Sequence, residues 1–278
     1  MPVQPAQPDI DHSLWDATLK LYVTPEARVD YRSLKQHGLP QLDAYLARLA
    51  APWPSAMPPG ARKAALINAY NALTVRWIVA HYPVGSIRQT GNPFEAVRHT
   101  VDGRAVSLDQ IETELRRMGD PRVHAVLVCA ARDCPPLRRE AYAPARLDRQ
   151  LDGNTRAWLA NSRLNAFFPE RRLARLSPIF KWYASDFASA GGLVPFLARH
   201  APAGRAEFLL APGAGIEYLD YDWTLNDSAA PGPRFPLLPA AASVLACLLL
   251  ALVWFVRRRR ALRIAAGSSA SPSCSPRG

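Results

Sequence analysis

Apolar positions recur at helical spacing in LPQLDAYLARLA (39–50), and a proline-rich connection, APWPSAMPPG (51–60), closes that element. The following stretch, ARKAALINAYNALTVRWIVAHY (61–82), carries alanine, leucine and aromatic residues on every face. A helix apolar all round is a buried helix, so this one is expected at the centre of the fold. Two short extended runs around Asp102-Gly103 predict a tight hairpin. Ser107 with Gln110 matches a capping box that opens LDQIETELRRM as a helix. VHAVLV (123–128) reads as a strand and leads into a loop holding Cys129 and Cys134. Further on, 144–162 is an amphipathic helix, and 171–187 reads as a strand, a proline turn and a short helix. A helix over 193–201 and a closing strand over 216–223 complete the pattern. Helices and strands alternate irregularly, without a βαβ rhythm or an internal repeat. That predicts one mixed α+β domain, with a helical segment over 1–60 and the core over 61–227.

The pattern changes abruptly after a linker, SAAPGPRFP (228–236). Residues 237–256 run for twenty positions without a charge, enough for a helix of ~30 Å, the thickness of a bilayer core. Pro239 falls in its first turn, Trp254 and Phe255 fall at its far end, and Arg257–Arg260 follow at once. The expectation is a single-pass transmembrane helix with a basic, disordered tail over 257–278. The arginines favour a cytoplasmic tail and place the globular domain on the outer, periplasmic side. MPVQPAQPDIDHSLWDATLK has neither a basic nor an apolar leader region, so an exported domain implies a start further upstream. A cytoplasmic domain on a tail anchor is the alternative.

Charge narrows the partners. The formal charge of +11 suggests nucleic acid, but six of the 34 basic residues lie beyond residue 256 and no acidic residue lies beyond Asp227. The first 234 residues hold 28 basic and 23 acidic side chains, a net of +5 without a basic tract. Nucleic-acid binding is therefore not expected. With 49% hydrophobic residues the chain can build a core without a disulfide framework. No glycine-rich phosphate loop is present, so no nucleotide cofactor is expected.

Candidate chemistry gathers at a few positions. Asn68 and Asn71 stand one turn apart on the central helix; they either brace neighbouring loops or line a pocket. Cys129 and Cys134 allow a disulfide, a reactive thiol or half of a metal site. An exported domain favours the first, and the CxxxxC spacing with His124 disfavours the last. On one straight strand His124 and Cys129, five residues apart, would face opposite sides, so His81 or His99 would have to approach instead. The stretch SPIFKWYASDF offers Lys181, Trp182 and Asp186; Lys181 either lies along the tryptophan with its amine in water or forms the cationic wall of a pocket for an anionic ligand.

Together NAYNALTV (68–75), SLDQIE (107–112), MGDPRVHAVLVCAARDCPPL (118–137), LSPIFKWYASDF (176–187) and YDWTLND (221–227) resemble the family called domain of unknown function 547, its bacterial, envelope-associated branch in particular. The recurring polar positions of that family fall on Asn68, Tyr70, Asn71, His124, Cys129, Cys134, Lys181, Trp182 and Asp186. One position departs: the family typically has histidine after the IE pair, and this chain has Thr113. If that histidine is a catalytic base this member is impaired; if it caps structure, threonine is tolerated. The helix–strand order also invites comparison with papain-like and transglutaminase folds. Those place a nucleophilic cysteine at the start of the central helix, where this chain reads ARKAA. The leading expectation is a membrane-anchored envelope domain binding a small or peptidic ligand through Asn68, Tyr70, Asn71, Lys181, Trp182 and Asp186, stapled by Cys129–Cys134. The second is a thiol enzyme using Cys129 or Cys134 with His124 as base. The third is a structural interaction module.

Overall fold

The structure is a computed structural model that describes residues 9–229. The expected membrane helix over 237–256, the tail over 257–278 and most of the linker lie outside the described residues. Among the described residues no helix is long and apolar enough to cross a membrane.

Ser13–Tyr22 forms α1, Tyr31–Ser33 a single turn α2, Leu39–Ala50 α3 and Pro59–His81 α4. Helix α4 starts on a proline, where a missing N–H leaves no hydrogen bond unmade, and is buried along most of its 23 residues. Its alanines at 64, 65, 69 and 72 are fully buried and let α3 and the later helix α5 (Leu108–Arg116) pack closely. Leu66, Ile67 and Ile78 fill the remaining space, each contributing roughly 1.5–3 kcal/mol of burial. The expected central helix is therefore present, with the all-round burial its composition implies.

The hairpin pairs β1 (His99–Val101) with β2 (Arg104–Val106). Its turn needs positive φ at both central positions, and Asp102 and Gly103 adopt 54° and 67°. The Asp102 carboxylate does further work: it accepts the Trp53 N–H at 2.8 Å and an Arg62 guanidinium N–H at 3.0 Å. The capping box at the start of α5 is complete. Ser107 accepts the Gln110 N–H at 3.1 Å, and the Gln110 side chain accepts the Ser107 N–H at 2.9 Å.

Residues 123–128 are not a strand. Pro121 begins a 3₁₀ turn over Pro121–Ala125, capped by the Asp120 carboxylate on the Arg122 N–H at 3.1 Å. The segment then runs on as irregular buried chain. Its apolar run reflects burial between helices rather than a place in a sheet, because its backbone partners are side chains of α4 and of α6 (Leu147–Ala160).

Beyond α6 the chain forms β3 (Ala166–Phe168), β4 (Leu173–Leu176), α7 (Ile179–Trp182), α8 (Ala184–Ser189), α9 (Leu193–His200) and β5 (Gly215–Tyr218). Strand β4 is central, antiparallel to β3 and parallel to β5. A second core of Trp158, Phe180, Phe187 and Phe196 sits beneath it. The closing strand ends at Tyr218, short of the expected 223. Residues after it form a strap that crosses the cysteine loop: Ala131 bridges Leu225, the Arg132 N–H reaches Thr224 O at 2.7 Å, and the Asn226 N–H reaches Ala130 O at 2.9 Å. The fold is α+β.

Candidate functional site

Two carboxamides on α4 fix the loops around one cavity. Asn71 donates to Val126 O at 2.9 Å and accepts the Val128 N–H at 2.9 Å. Asn68 does the same one turn earlier, donating to Tyr142 O at 2.8 Å and accepting the Tyr142 N–H at 2.9 Å. Each amide thus replaces the strand partner that an irregular buried segment lacks. Directly after this clamp Ala130 takes φ 62°, a left-handed conformation costly for a residue with a Cβ. That bend turns the chain towards the strap and presents Cys129.

The cavity has a volume of about 310 Å³. Tyr70, Glu112, His124 and Tyr183 line it together with Cys129, Cys134 and Tyr221, which contact one another, and with Phe94, Trp182 and Trp223; Tyr70 and His124 are buried and Trp182 is exposed. The cysteine sulfurs are at disulfide distance, with Cα atoms 6.3 Å apart. Cys129 is half-buried and Cys134 only 6% exposed. The Sγ of Cys134 receives the Cys129 N–H at 3.1 Å and the Tyr221 hydroxyl at 3.2 Å. The same hydroxyl lies 3.3 Å from the Cys129 Sγ. Burial raises the pKa of Tyr221, which keeps it a proton donor.

His124 is anchored from behind. Its Nε2 lies 2.8 Å from Asp186 Oδ2, and its ring stacks on Tyr183 at 4.0 Å. Asp186 is gripped by Arg116 through two hydrogen bonds of 2.6 and 3.0 Å. Hydrogen bonding to Arg116 is the main force holding the Asp186 pKa down to about 2. An ionised Asp186 can only accept, so Nε2 carries the proton and Nδ1 keeps its lone pair. Burial drives the His124 pKa down to about 4, leaving the ring neutral near pH 7. Glu112 behaves oppositely: desolvation raises its pKa, against hydrogen bonds from the Tyr183 and Tyr70 hydroxyls and the charge of Arg116, which all favour the ionised form.

Of the residues expected from sequence, Tyr70, His124, Cys129, Cys134 and Trp182 line this one cavity, and Asp186 stands behind His124. The parity argument that separated His124 from Cys129 fails because no straight strand joins them. Asn68 and Asn71 do not line the cavity; their polar atoms are committed to the loops. Lys181 is exposed and stands outside the lining, so it does not form a cationic wall of this cavity. His81 and His99 pack around Trp77, at 4.2 and 6.4 Å between ring centres, away from the cavity. Thr113 lines a different groove, with Leu66 and Val101, so the departure from the family pattern leaves this cavity intact. Among the described residues no group of three or more His, Cys, Asp or Glu is placed to hold a metal ion.

Sequence reasoning missed Glu112, Tyr183, Tyr221 and Trp223 as site residues. A signal for Glu112 existed: it falls between Leu108 and Leu115 on the apolar stripe of α5, where a charged residue is out of place. The tyrosines carried no comparable mark.

No curated protein and no solved structure matches the chain. One family model matches, that of the family described as "Protein of unknown function, DUF547", over residues 54–159. The matched span holds Asn68, Tyr70, Asn71, Glu112, His124 and both cysteines of the cavity, and ends before Trp182, Asp186 and Tyr221.

Proposed function

Because the chain belongs to DUF547, a family whose description assigns no activity, we propose a function from the cavity itself: thiol–disulfide exchange on a small or peptidic thiol substrate. One observation carries the reading. The cysteine pair forms a cavity wall, with Cys129 open to the cavity and Cys134 held beneath two hydrogen-bond donors.

In the oxidising direction a substrate thiol enters beside His124 and gives its proton to Nδ1. The resulting thiolate attacks Cys129 Sγ, forming a mixed disulfide and breaking the Cys129–Cys134 bond. Cys134 leaves as a thiolate, stabilised where the Cys129 N–H and the Tyr221 hydroxyl already point at its sulfur. A second substrate thiol then attacks the substrate sulfur of the mixed disulfide, and Cys129 leaves. Two electrons and two protons pass from the substrate dithiol to the cysteine pair, and the substrate becomes a disulfide. A partner disulfide reoxidises the pair by the same steps in reverse. Asp186 and Arg116 hold the His124 ring in the tautomer this requires.

The test is oxidation of a peptide dithiol by the purified protein, with mass spectrometry of trapped species. Cys134→Ser, offered the peptide in its disulfide form, is expected to accumulate a mixed disulfide on Cys129, because no second thiol is left to resolve it; with the dithiol, Cys129→Ser is expected to lose turnover while remaining folded. Undiminished turnover in Cys129→Ser, or a pair that folded protein never exchanges with thiols, refutes the reading. The uncharged stretch 237–256, outside the described residues, supports attachment of this domain to a membrane, with the domain on the outer, oxidising side.

A further inference from the structure

We propose that the cavity selects an organic cation, an alkylammonium or guanidinium group seated against the carboxylate of Glu112. This names the substrate class of the site and rests on the cavity being a ligand site, as the exchange reading has it.

The lining is acidic on a basic domain. Glu112, Asp109 and Glu95 line the cavity, and no lysine or arginine does so among the described residues. The surrounding domain carries an excess of basic residues, so composition alone does not produce this lining. Arg116, one turn further along α5, is committed to Asp186 at 2.6 and 3.0 Å. Glu112 is therefore a largely buried carboxyl with no cation within salt-bridge distance among the described residues. The Tyr70 and Tyr183 hydroxyls share the lining and can donate to it, but a neutral hydroxyl does not balance the charge of a carboxylate, which has about four lone-pair sites. A buried carboxylate left in this state is the arrangement that an incoming ammonium or guanidinium group completes.

The walls point independently to the same ligand. Trp182, Tyr221 and Trp223 cluster in the lining, with ring centres 5.0 Å apart for Trp182–Tyr221 and 4.7 Å for Tyr221–Trp223. Aromatic faces attract cations, tryptophan most strongly. One such contact exists already: the Arg88 guanidinium lies 5.0 Å from the Trp223 ring centre. Trp182 is 49% exposed, unusual for the largest apolar side chain and suited to a face that receives a ligand. His124, the one basic group of the lining among the described residues, is kept neutral by burial and does not oppose a cation. An anion or a neutral alkyl group would leave Glu112 uncompensated.

Isothermal titration of the full-length protein compares n-butylammonium and n-butylguanidinium with 1-butanol and butyrate. Both cations are expected to bind at least tenfold more tightly than the neutral and anionic probes. Glu112→Gln is expected to lose at least tenfold in cation affinity and to leave 1-butanol unchanged. Trp182→Ala, at an exposed position that does not endanger folding, is expected to lose severalfold and decides the matter if Glu112→Gln fails to fold. Equal binding of cation and alcohol, tighter binding of butyrate, no cation binding at all, or cation affinity unchanged in a folded Glu112→Gln overturns the proposal. The same titration on Cys129→Ser with Cys134→Ser separates the two readings. Cation preference is expected to persist there, whereas exchange activity must vanish. Exchange without cation preference sinks this inference alone, and cation preference without exchange sinks only the exchange reading.

Discussion

Removing the Asn71 side chain tests the central structural claim, that α4 replaces a missing strand by clamping the 126–128 segment. Asn71→Ala deletes two hydrogen bonds of 2.9 Å and strands two buried backbone groups, the carbonyl of Val126 and the N–H of Val128. Each buried orphan costs about 1–3 kcal/mol, so the expected loss is about 2–6 kcal/mol. Against a total stability of about 5–15 kcal/mol for a domain, that is a large fraction. In urea, with a slope of about 2–3 kcal/mol/M for a domain of this size, the midpoint should fall by about 0.7–3 M without a change of slope. Asn71→Asp separates the clamp from simple loss of volume. The introduced carboxylate can still accept the Val128 N–H but faces the Val126 carbonyl, which it repels unless protonated. Burial and that carbonyl raise its folded pKa above the unfolded value. The variant is thus closest to wild type at acidic pH, and its deficit grows as pH rises through the folded pKa. A loss below about 0.5 kcal/mol in Asn71→Ala, or a pH-independent deficit in Asn71→Asp, refutes the clamp.

Four further outcomes follow from the same geometry. His12 and His124 are both buried with pKa values lowered to about 4 by desolvation. Their depressed pKa values contribute stability that is complete above the unfolded value of about 6.5 and is lost as pH falls towards 4, up to about 3 kcal/mol each. Asp120 and Asp186, with pKa values near 2, act only in more acid solution; His99, lowered by burial to about 4, adds to the fall and Glu112, raised by burial, opposes it, so urea curves between pH 7 and 4.5 should show a net loss of stability, and a flat profile contradicts the assignment. Asp186→Asn replaces the acceptor-only carboxylate that fixes the His124 tautomer by an amide that can also donate to Nε2, and exchange activity should fall on the order of 10²-fold with a shifted pH–rate profile; unchanged kinetics exclude His124 as base. Gly103→Ala places a Cβ at φ 67° and 3.3 Å from Pro52, and a loss of about 1–2 kcal/mol in thermal unfolding is expected, whereas no loss denies the turn type. A membrane-impermeant maleimide on intact cells should label Cys129 and Cys134 only after reduction and without permeabilisation; labelling that requires opened cells reverses the expected orientation.

Local rules carried much of the fold. Asp102-Gly103 reads as a hairpin because a turn with two positive φ angles has few sequence solutions. Ser107 and Gln110 read as a capping box because both hydrogen bonds close within four residues. Residues 61–82 read as a buried helix because alanine-rich apolarity on every face has one structural use. The site was less visible because its parts come from distant segments that only packing unites. Tyr221 reaches the cysteines across 92 and 87 residues, and Asp186 reaches His124 across 62. No local period announces such a meeting.

The 123–128 segment shows why one wrong element misled the chemistry as well. An apolar run of six is consistent with a buried strand, and strand parity assigns His124 and Cys129 to opposite faces. Parity holds only while the backbone is uniformly extended. Pro121 and the Asp120 cap wind the chain into a 3₁₀ turn through His124, and Ala130 at φ 62° bends it again just after Cys129. Between those two bends the backbone finds its partners in Asn71, so no neighbouring strand is needed to keep it buried. Both irregularities depend on α4 being in place to supply the carboxamide. Asn71, which sequence reading offered as a ligand group, therefore brings the histidine and the thiol to one cavity by holding the loop between them, while Asn68 holds the chain at Tyr142.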